Sequence, residues 1–593
     1  MRLADYVIQR IYDECSAHIF TVTGRGILYL TDAIAKHGKM KCISVHHEQA
    51  GAYAAVSYGC YTGKPGVCLV STGCASTNTI TGLLSAFQDG VPCVFISGQN
   101  ILKETVGHTK LPIRTFGSQE TDIIPIVRNL TKYAVMITEP RTIAYELDKA
   151  ISLSKTGVHG PVWIDIPLDI QDARIEPDEL ERYTQSDNKV LVPANDDIAY
   201  IMEALHNAER PVVLIGSGIR SADAVSELAE FVERNGIPLT YAHTAVDVYG
   251  LDNELSIGAV GSIYGTRAGN FAVQNSDLLL VLGCRMTTMT TGSDREKFAR
   301  HAKTIVVDID KDEHRKGNLR IDRMVISSVK SLLLSLNSLN PRDITLSWIE
   351  KCKHWKHTFP KCEYKSNLIG KIDLYHLAET VSKMLPDNSV VLCDAGIEEL
   401  ILPTSICFRA GMRCIHPAMQ GTMGFALPGA IGAYLASGEL TCAVIGDGSV
   451  MMNLQELQTI AYNQYPIKII IVNNNMYAVI RKRQNDLFRS RTIGTDCSNG
   501  ISAPDFRKIA DCFGIQYFCI EKSKDLETGI AEVFDTKGAV ICEIMSDENQ
   551  EYLRDAYTRN MHNRIVHRPI EDLYPFIDRD LFISEMIVEP IDQ

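Results

Sequence analysis

The residues best suited to chemistry in this 593-residue chain lie between Gly446 and Asn474, in GDGSVMMNLQELQTIAYNQYPIKIIIVNN, with Asn475 directly after. Glycines at 446 and 448 let backbone N–H groups approach an anion at a helix N-terminus, and Asp447 offers a hard carboxylate oxygen suited to Mg²⁺. Asn474 follows Asp447 by 27 residues, a separation that a strand–helix–strand unit folds back on itself, so two oxygen ligands can meet at neighbouring strand ends. That layout makes a diphosphate and metal site. Taken singly, Gly-Asp-Gly is an ordinary turn and the asparagines ordinary strand caps.

The elements that must position these groups alternate along the chain. β-Branched runs such as VCLVST, VPCVFISG, PVWIDIP, RPVVLIGSG, DLLLVLG, TIVVDID, SVVLCDAG, CAVIGDG and IKIIIVNN are separated by helical patterns, which predicts α/β units in three doubly wound parallel-sheet domains. Polar stretches at Gln185–Asp197 and Leu336–Asp343 read as linkers, giving domains over 1–185, 190–340 and 365–550 and a tail over 551–593. Gly216-Ser217-Gly218 after RPVVLI could approach a dinucleotide or serve only its turn, since a third glycine is missing at Ser221.

Composition is that of a globular small-molecule enzyme: 45 % apolar, 22 % charged, with a net charge of −13 spread along the chain, which speaks against nucleic acid or an anionic membrane as partner. Met1–Ser16 is an amphipathic helical pattern without the apolar centre of a signal peptide, and the apolar runs are too short to span a membrane. The 17 cysteines are scattered among Val, Ile and Leu as reduced core thiols, so a soluble cytoplasmic protein is expected. Cys352, His354, His357 and Cys362 in KCKHWKHTFPKC fit no common structural zinc spacing, and the lysines there favour a solvated helix face.

Two further residues matter. Glu48 in HHEQAGAYAAVSYG ends the run CISV and starts a helix of small residues that permits close approach; alone it reads as first-turn helix chemistry. Met423 in GTMGFALP alone reads as a core methionine.

GDG followed about 25 to 30 residues later by NN resembles the signature of thiamine diphosphate enzymes. HHEQAGAYAA looks like the HEQ segment of the acetolactate synthase family, and GTMGFALP like its MGF-LP segment. Likeness covers nearly the whole chain, through STGCASTNTITGLLSAFQDGVPCVFISGQ, SQETDIIPIVRNLTKYAV, GPVWIDIPLDIQ and the middle domain. TGRGILYLTDAI in place of the family's YPGG segment, and the tail RPIEDLYPFIDRDLF, resemble the subgroup associated with surface-polysaccharide genes.

The resemblance implies pyrimidine-binding, central flavin- or nucleotide-like and diphosphate-binding domains, in that order. It implies that Glu48 hydrogen-bonds the aminopyrimidine ring so that the cofactor's own nitrogen becomes the base beside C2, and that Met423 bends the cofactor from beneath. Asp447, the Asn474 side chain and the Met476 carbonyl would bind Mg²⁺; Gly448 and Ser449 would hold the diphosphate through backbone groups; Gly396, Gly421, Gly446, Tyr477 and Gln119 would be further cofactor contacts. Lys132 matches a residue near the family's substrate channel or flavin, and the active unit would be at least a homodimer, or a homotetramer.

Departures bear on the substrate. The family's GQHQ is Gly396-Ile397-Glu398-Glu399, its RFDDR is Arg285-Met286-Thr287-Thr288-Met289, and the lysine of its VPKDIQ is Leu168. NILKETVGHTKLPIRTFG is extra sequence at the expected substrate entrance. These changes remove positive charge where a second keto acid's carboxylate would need partners. The expected activity is thiamine diphosphate- and Mg²⁺-dependent decarboxylation of a 2-keto acid, pyruvate foremost, with transfer of the acyl anion to a second keto acid or a keto-sugar nucleotide; FAD is left open. The alternatives are a simple 2-keto acid decarboxylase or 2-hydroxyacyl lyase and, ranked lower, a non-catalytic cofactor-binding subunit.

Overall fold

A computed structural model describes residues 1–184, 190–360, 370–559, 562 and 564–591. Three six-stranded sheets form, every neighbouring pair in them parallel, with helices between successive strands. The central strands are the β-branched runs of the sequence, buried along nearly their whole length because helices cover the sheets, whereas edge strands such as Lys41–Ser44 and Gln516–Ile520 are partly exposed. Leu3–Glu14 is the amphipathic helix expected at the start. No helix of the described residues is long and apolar enough to cross a membrane.

Each sheet reverses its winding near its middle, and the first and third do so again at one edge, where Pro161–Pro167 lies inside Tyr133–Met136 and Val540–Met545 inside Gln516–Ile520. In the first, the chain runs from His18–Thr21 outward to Lys41–Ser44, then returns to Gly66–Val70 on the other flank of His18–Thr21. In the second the reversal lies between Pro211–Ile215 and Leu278–Leu282, and in the third between Val390–Cys393 and Thr441–Gly446. Open α/β sheets bind ligands in the crevice that such a reversal leaves beyond the strands' C-terminal ends.

The first and third sheets share one apolar core through two helices, Glu48–Thr62 and Ala426–Ser437. Small residues let these helices approach: a Cβ on Gly432 would lie 2.0 Å from the Ala54 carbonyl oxygen, and one on Gly429 2.7 Å from Ser57 Oγ. The helix of small residues after Glu48 thus serves the close approach its composition suggests.

Leu336–Asp343 is not a free linker. Leu336 is buried at the end of helix Val329–Asn337, and Arg342 is buried with its guanidinium donating to the Ala208 carbonyl (2.7 Å). The cause lies just beyond, where helix Leu346–Thr358 docks on the central sheet, with Trp348 Nε1 donating to the Pro211 carbonyl at 2.9 Å. That helix also corrects the reading of KCKHWKHTFPKC: Cys352 lies on its buried face with Trp348, Ile349 and Trp355, and His354 pairs with Glu585 at 2.8 Å; Cys362 lies outside the described residues. The tail joins the same unit. Asn270 Nδ2 donates to the Ile570 carbonyl (2.7 Å), Arg267 to that of Pro575 (2.5 Å), and Arg300 pairs with buried Glu571 (2.7 Å).

Candidate cofactor site

Thr441–Gly446 and Lys468–Asn473 are neighbours in the third sheet, in a register that sets Gly446 opposite Val472, so Asp447 and Asn474 leave adjacent strand ends together. Both are buried. Asp447 Oδ1 accepts from the Gly448 N–H (2.7 Å) and Oδ2 from that of Asn475 (2.5 Å), which Asn475 can aim there because its φ of 56° bends the chain sharply. The Asn474 carboxamide oxygen accepts from the Met476 N–H at 3.2 Å. Gly448 has to be glycine, because a Cβ there would lie 2.1 Å from the Tyr477 ring. Gly446, Asp447, Gly448, Ser449, Asn474, Met476 and Tyr477 are therefore one cluster.

Burial pushes the Asp447 carboxyl up to about 6, with the Glu543 charge adding to the effect and the N–H groups of Asn475, Gly448 and Asn474 opposing it. Among the described residues no cationic side chain forms an ion pair with Asp447. A buried carboxylate with a carboxamide oxygen beside it and no internal cation is a donor set that a hard divalent ion fits.

The opposite lip of the crevice follows strand Val390–Cys393. Asp394, fully buried, accepts from the N–H groups of Gly424 (3.0 Å) and Ala426 (3.3 Å) and so anchors the loop that carries Met423. Ser449 Oγ accepts from the same Gly424 N–H at 3.2 Å, tying that loop to the Asp447 cluster. Met423 is half-buried between Gly421 and Gly424, whose φ values of 60° and 83° place them in the left-handed region. Gly396 precedes helix Ile397–Ser405, and the Glu398 carboxyl lies against both Gly396 and Gly446.

Glu48 is the first residue of helix Glu48–Thr62, half-buried, and its Oε2 accepts from Asn78 Nδ2 at 2.8 Å. Three contacts within the chain bring its surroundings to the third sheet: the His46 N–H to Glu456 Oε1 (3.0 Å), Asn453 Nδ2 to Gln49 Oε1 (3.2 Å), and Tyr53 with Thr422 (2.7 Å). Among the described residues no hydrogen bond or ion pair joins Glu48 or Gln119 directly to the Asp447 cluster. Gln119 belongs to the first sheet's crevice, around a small pocket that Arg25, Gln99 and Leu168 also line. Its backbone, at φ 62°, presses on Gly73, where a Cβ would lie 2.0 Å from the Gln119 carbonyl oxygen. Buried Glu120 next to it holds the extra segment at both ends, accepting from the N–H groups of Val106 (2.6 Å) and Phe116 (2.7 Å). Lys132 is committed elsewhere: its ammonium group donates to the carbonyls of Thr156 and Val158.

Behind the crevice, three domains meet in a buried polar cluster absent from any motif. His416 Nδ1 lies 2.9 Å from Glu399 Oε1 and its Nε2 3.2 Å from the His243 carbonyl oxygen; with acceptors on both sides, both nitrogens must carry protons. The His243 ring stacks on Tyr264 (centroids 4.5 Å apart), and half-buried Asp89 accepts from the Met419 N–H at 3.0 Å. Burial alone would lower the His416 pKa, but the Glu399 hydrogen bond and charge outweigh it and raise it to about 9. Because this lies above the ordinary 6.5, the stabilisation is complete below pH 6.5 and is lost as pH rises through 9. The wild-type chain is expected to lose on the order of 3 kcal/mol more than His416→Gln across that window. Denaturant midpoints of both proteins from pH 6 to 10 check this, and parallel curves would refute it.

Family comparisons agree with this geometry. Residues 1–125 match the thiamine pyrophosphate enzyme N-terminal TPP binding domain, 198–336 its central domain and 398–544 its C-terminal TPP binding domain. The chain belongs to the thiamine pyrophosphate enzyme family. Its relatives include the acetolactate synthase large subunit of Haemophilus influenzae, 30 % identical over 96 % of this chain and 99 % of that protein. The isozyme 2 large subunit of Escherichia coli is 30 % identical over 92 % of this chain and 96 % of its own length, and the large subunit of Corynebacterium glutamicum 30 % identical over 92 % and 87 %. The chain is thus an acetolactate synthase-like thiamine diphosphate-dependent enzyme.

Within this thiamine pyrophosphate enzyme the two loops at the central sheet's winding reversal meet through their backbones. The Gly216 N–H donates to the Leu282 carbonyl (3.2 Å) and that of Gly218 to Gly283 (3.0 Å), while a Cβ on either glycine would lie 2.5 to 2.7 Å from Gly283. The glycine turn there serves backbone contact. Residues that sequence reading passed over are Asn78, Asp394, His416, His243 and Asp89. Asn78 stands inside STNTITG, where only its 30-residue distance from Glu48 hints at pairing across neighbouring elements.

Proposed function

We propose that this enzyme decarboxylates a 2-keto acid, with pyruvate as donor, and transfers the acyl anion to a carbonyl acceptor, using thiamine diphosphate and Mg²⁺. Bound at the third sheet's crevice, thiamine diphosphate supplies a thiazolium carbanion that adds to a ketone and stores electrons when CO₂ leaves. The observation that carries the reading is the meeting of Asp447 and Asn474 at neighbouring strand ends with no internal cation beside them. In the proposal Asp447, Asn474 and the Met476 carbonyl hold the metal, while Gly396, Gly446, Gly448 and Ser449 line the diphosphate and Gly421, Met423, Tyr477 and Gln119 the rest of the cofactor. Asn78 occupies Glu48 Oε2, which leaves Oε1 to hold the ring proton that the aminopyrimidine needs to keep.

Arg285-Met286-Thr287-Thr288-Met289 and Leu168 supply less positive charge than a second keto-acid carboxylate calls for, so the acceptor in this proposal extends to a keto-sugar nucleotide. FAD stays open, with any flavin bound away from the Gly216–Gly218 turn, whose amides are engaged; the absorbance spectrum of purified protein reads its presence. The active unit in the proposal is a cytoplasmic homodimer or homotetramer. Purified enzyme given pyruvate, Mg²⁺, thiamine diphosphate and either acceptor class is expected to form a ligated product. Free aldehyde as sole product would assign it instead to the simple decarboxylases.

A further inference from the structure

The third sheet's crevice contains a carboxyl group with one oxygen that has no partner among the described residues. Glu398 is 2 % exposed, and its Oε1 has no hydrogen-bond partner. Its two carboxyl oxygens lie 2.4 and 2.5 Å from where a Cβ would stand on Gly396, and Oε1 lies 2.9 Å from the corresponding point on Gly446. The group therefore sits over the two glycines that begin the opposite lips of the winding reversal, at the first turn of the nine-residue helix Ile397–Ser405. Buried polar atoms are almost always paired, so an unpaired one in a ligand crevice marks where the ligand comes.

We propose that Glu398 binds the cofactor's diphosphate directly, as a carboxylic acid donating its O–H to a phosphate oxygen. This rests on the diphosphate placement under Proposed function. An ionised Glu398 would face that anion with no cation of its own, beside Asp394 and Asp447 from the two strand ends and Glu399 from its own helix. Burial, reinforced by the Asp394 and Asp447 charges, pushes its carboxyl up to about 8, with the N–H groups of Glu398 itself and Gly446 opposing this. A protonated carboxyl removes the repulsion and provides the donor that the phosphate oxygen lacks.

Glutamine keeps the shape and a donor without a negative charge; leucine keeps the bulk without a donor. Thiamine diphosphate affinity, measured by calorimetry at saturating Mg²⁺, is expected to stay within about threefold for Glu398→Gln and to fall about tenfold or more for Glu398→Leu. Calorimetric Mg²⁺ affinity at fixed thiamine diphosphate is expected to be unchanged in Glu398→Gln. Equal binding by Glu398→Leu overturns the contact. A loss in Glu398→Gln matching that in Glu398→Leu, or weakened Mg²⁺ binding, overturns the neutral donor in favour of an ionised metal ligand. Should Glu398→Leu fail to fold by circular dichroism, Glu398→Gln alone decides on the same threefold and tenfold limits. Failure of the wild-type chain to bind thiamine diphosphate at all would overturn the reading under Proposed function, whereas normal wild-type binding that Glu398→Leu leaves intact overturns only this inference.

Discussion

Replacing Glu48 with glutamine is expected to slow both exchange of the thiamine C2 proton and release of CO₂ from pyruvate by roughly 10²- to 10⁴-fold, the span that a positioned proton-transfer group contributes. The change is nearly isosteric, so the hydrogen bond from Asn78 to the side-chain oxygen can persist and the helix start keeps its shape. What disappears is the negative charge that, in the proposed role of Glu48, holds a proton on the aminopyrimidine. Cofactor affinity should change little, because Glu48 has no part in the Asp447 cluster. Exchange followed by NMR in deuterated buffer separates this role from binding. Wild-type exchange rates in the variant would remove Glu48 from the chemistry and revive the non-catalytic reading.

Asp447→Ala is expected to weaken Mg²⁺-dependent retention of thiamine diphosphate by more than the ~10–100-fold that loss of an outer partner of a metal ligand costs. Two effects act together. In the proposed site the metal would lose a buried carboxylate, and the N–H groups of Gly448 and Asn475 lose the oxygens they point at. The second effect loosens the very turn that faces the diphosphate. Titrating thiamine diphosphate into apo-protein across a range of Mg²⁺ concentrations checks it: the variant's affinity should no longer rise with Mg²⁺, and a wild-type Mg²⁺ dependence would rule out Asp447 as the ligand.

The meeting of Asp447 with Asn474 was legible in sequence for a physical reason. Asp447 and Asn474 are fixed by a single strand–helix–strand unit whose length sets their meeting, and the three-sheet architecture follows from β-branched runs alternating with helical patterns. Glu399 and His416 are different. Their partners His243 and Asp89 come from two other domains, and no local period connects residues that approach only after whole sheets dock. Glu398 and Glu399 stood out in sequence only as departures from the family's GQHQ segment, which does not reveal that one would be buried over the crevice and the other paired with His416. The linker reading at Leu336–Asp343 failed because polar composition does not reveal that the next helix carries two tryptophans onto the central sheet.

Three parallel six-stranded sheets occur in this chain, the first and third in one strand order and the second in another, and their central winding reversals are finished differently. In the second sheet Gly216 and Gly218 bring two loops into backbone contact; in the third, a carboxyl group lies over Gly396 and Gly446. A Cβ on Gly216 or Gly218 would wedge the central loops open, and a bulkier residue at Gly396 or Gly446 would fill the third crevice. The glycines at each reversal and what faces them thus set how closely its two loops approach, and in the central sheet they are where a redesign would separate those loops.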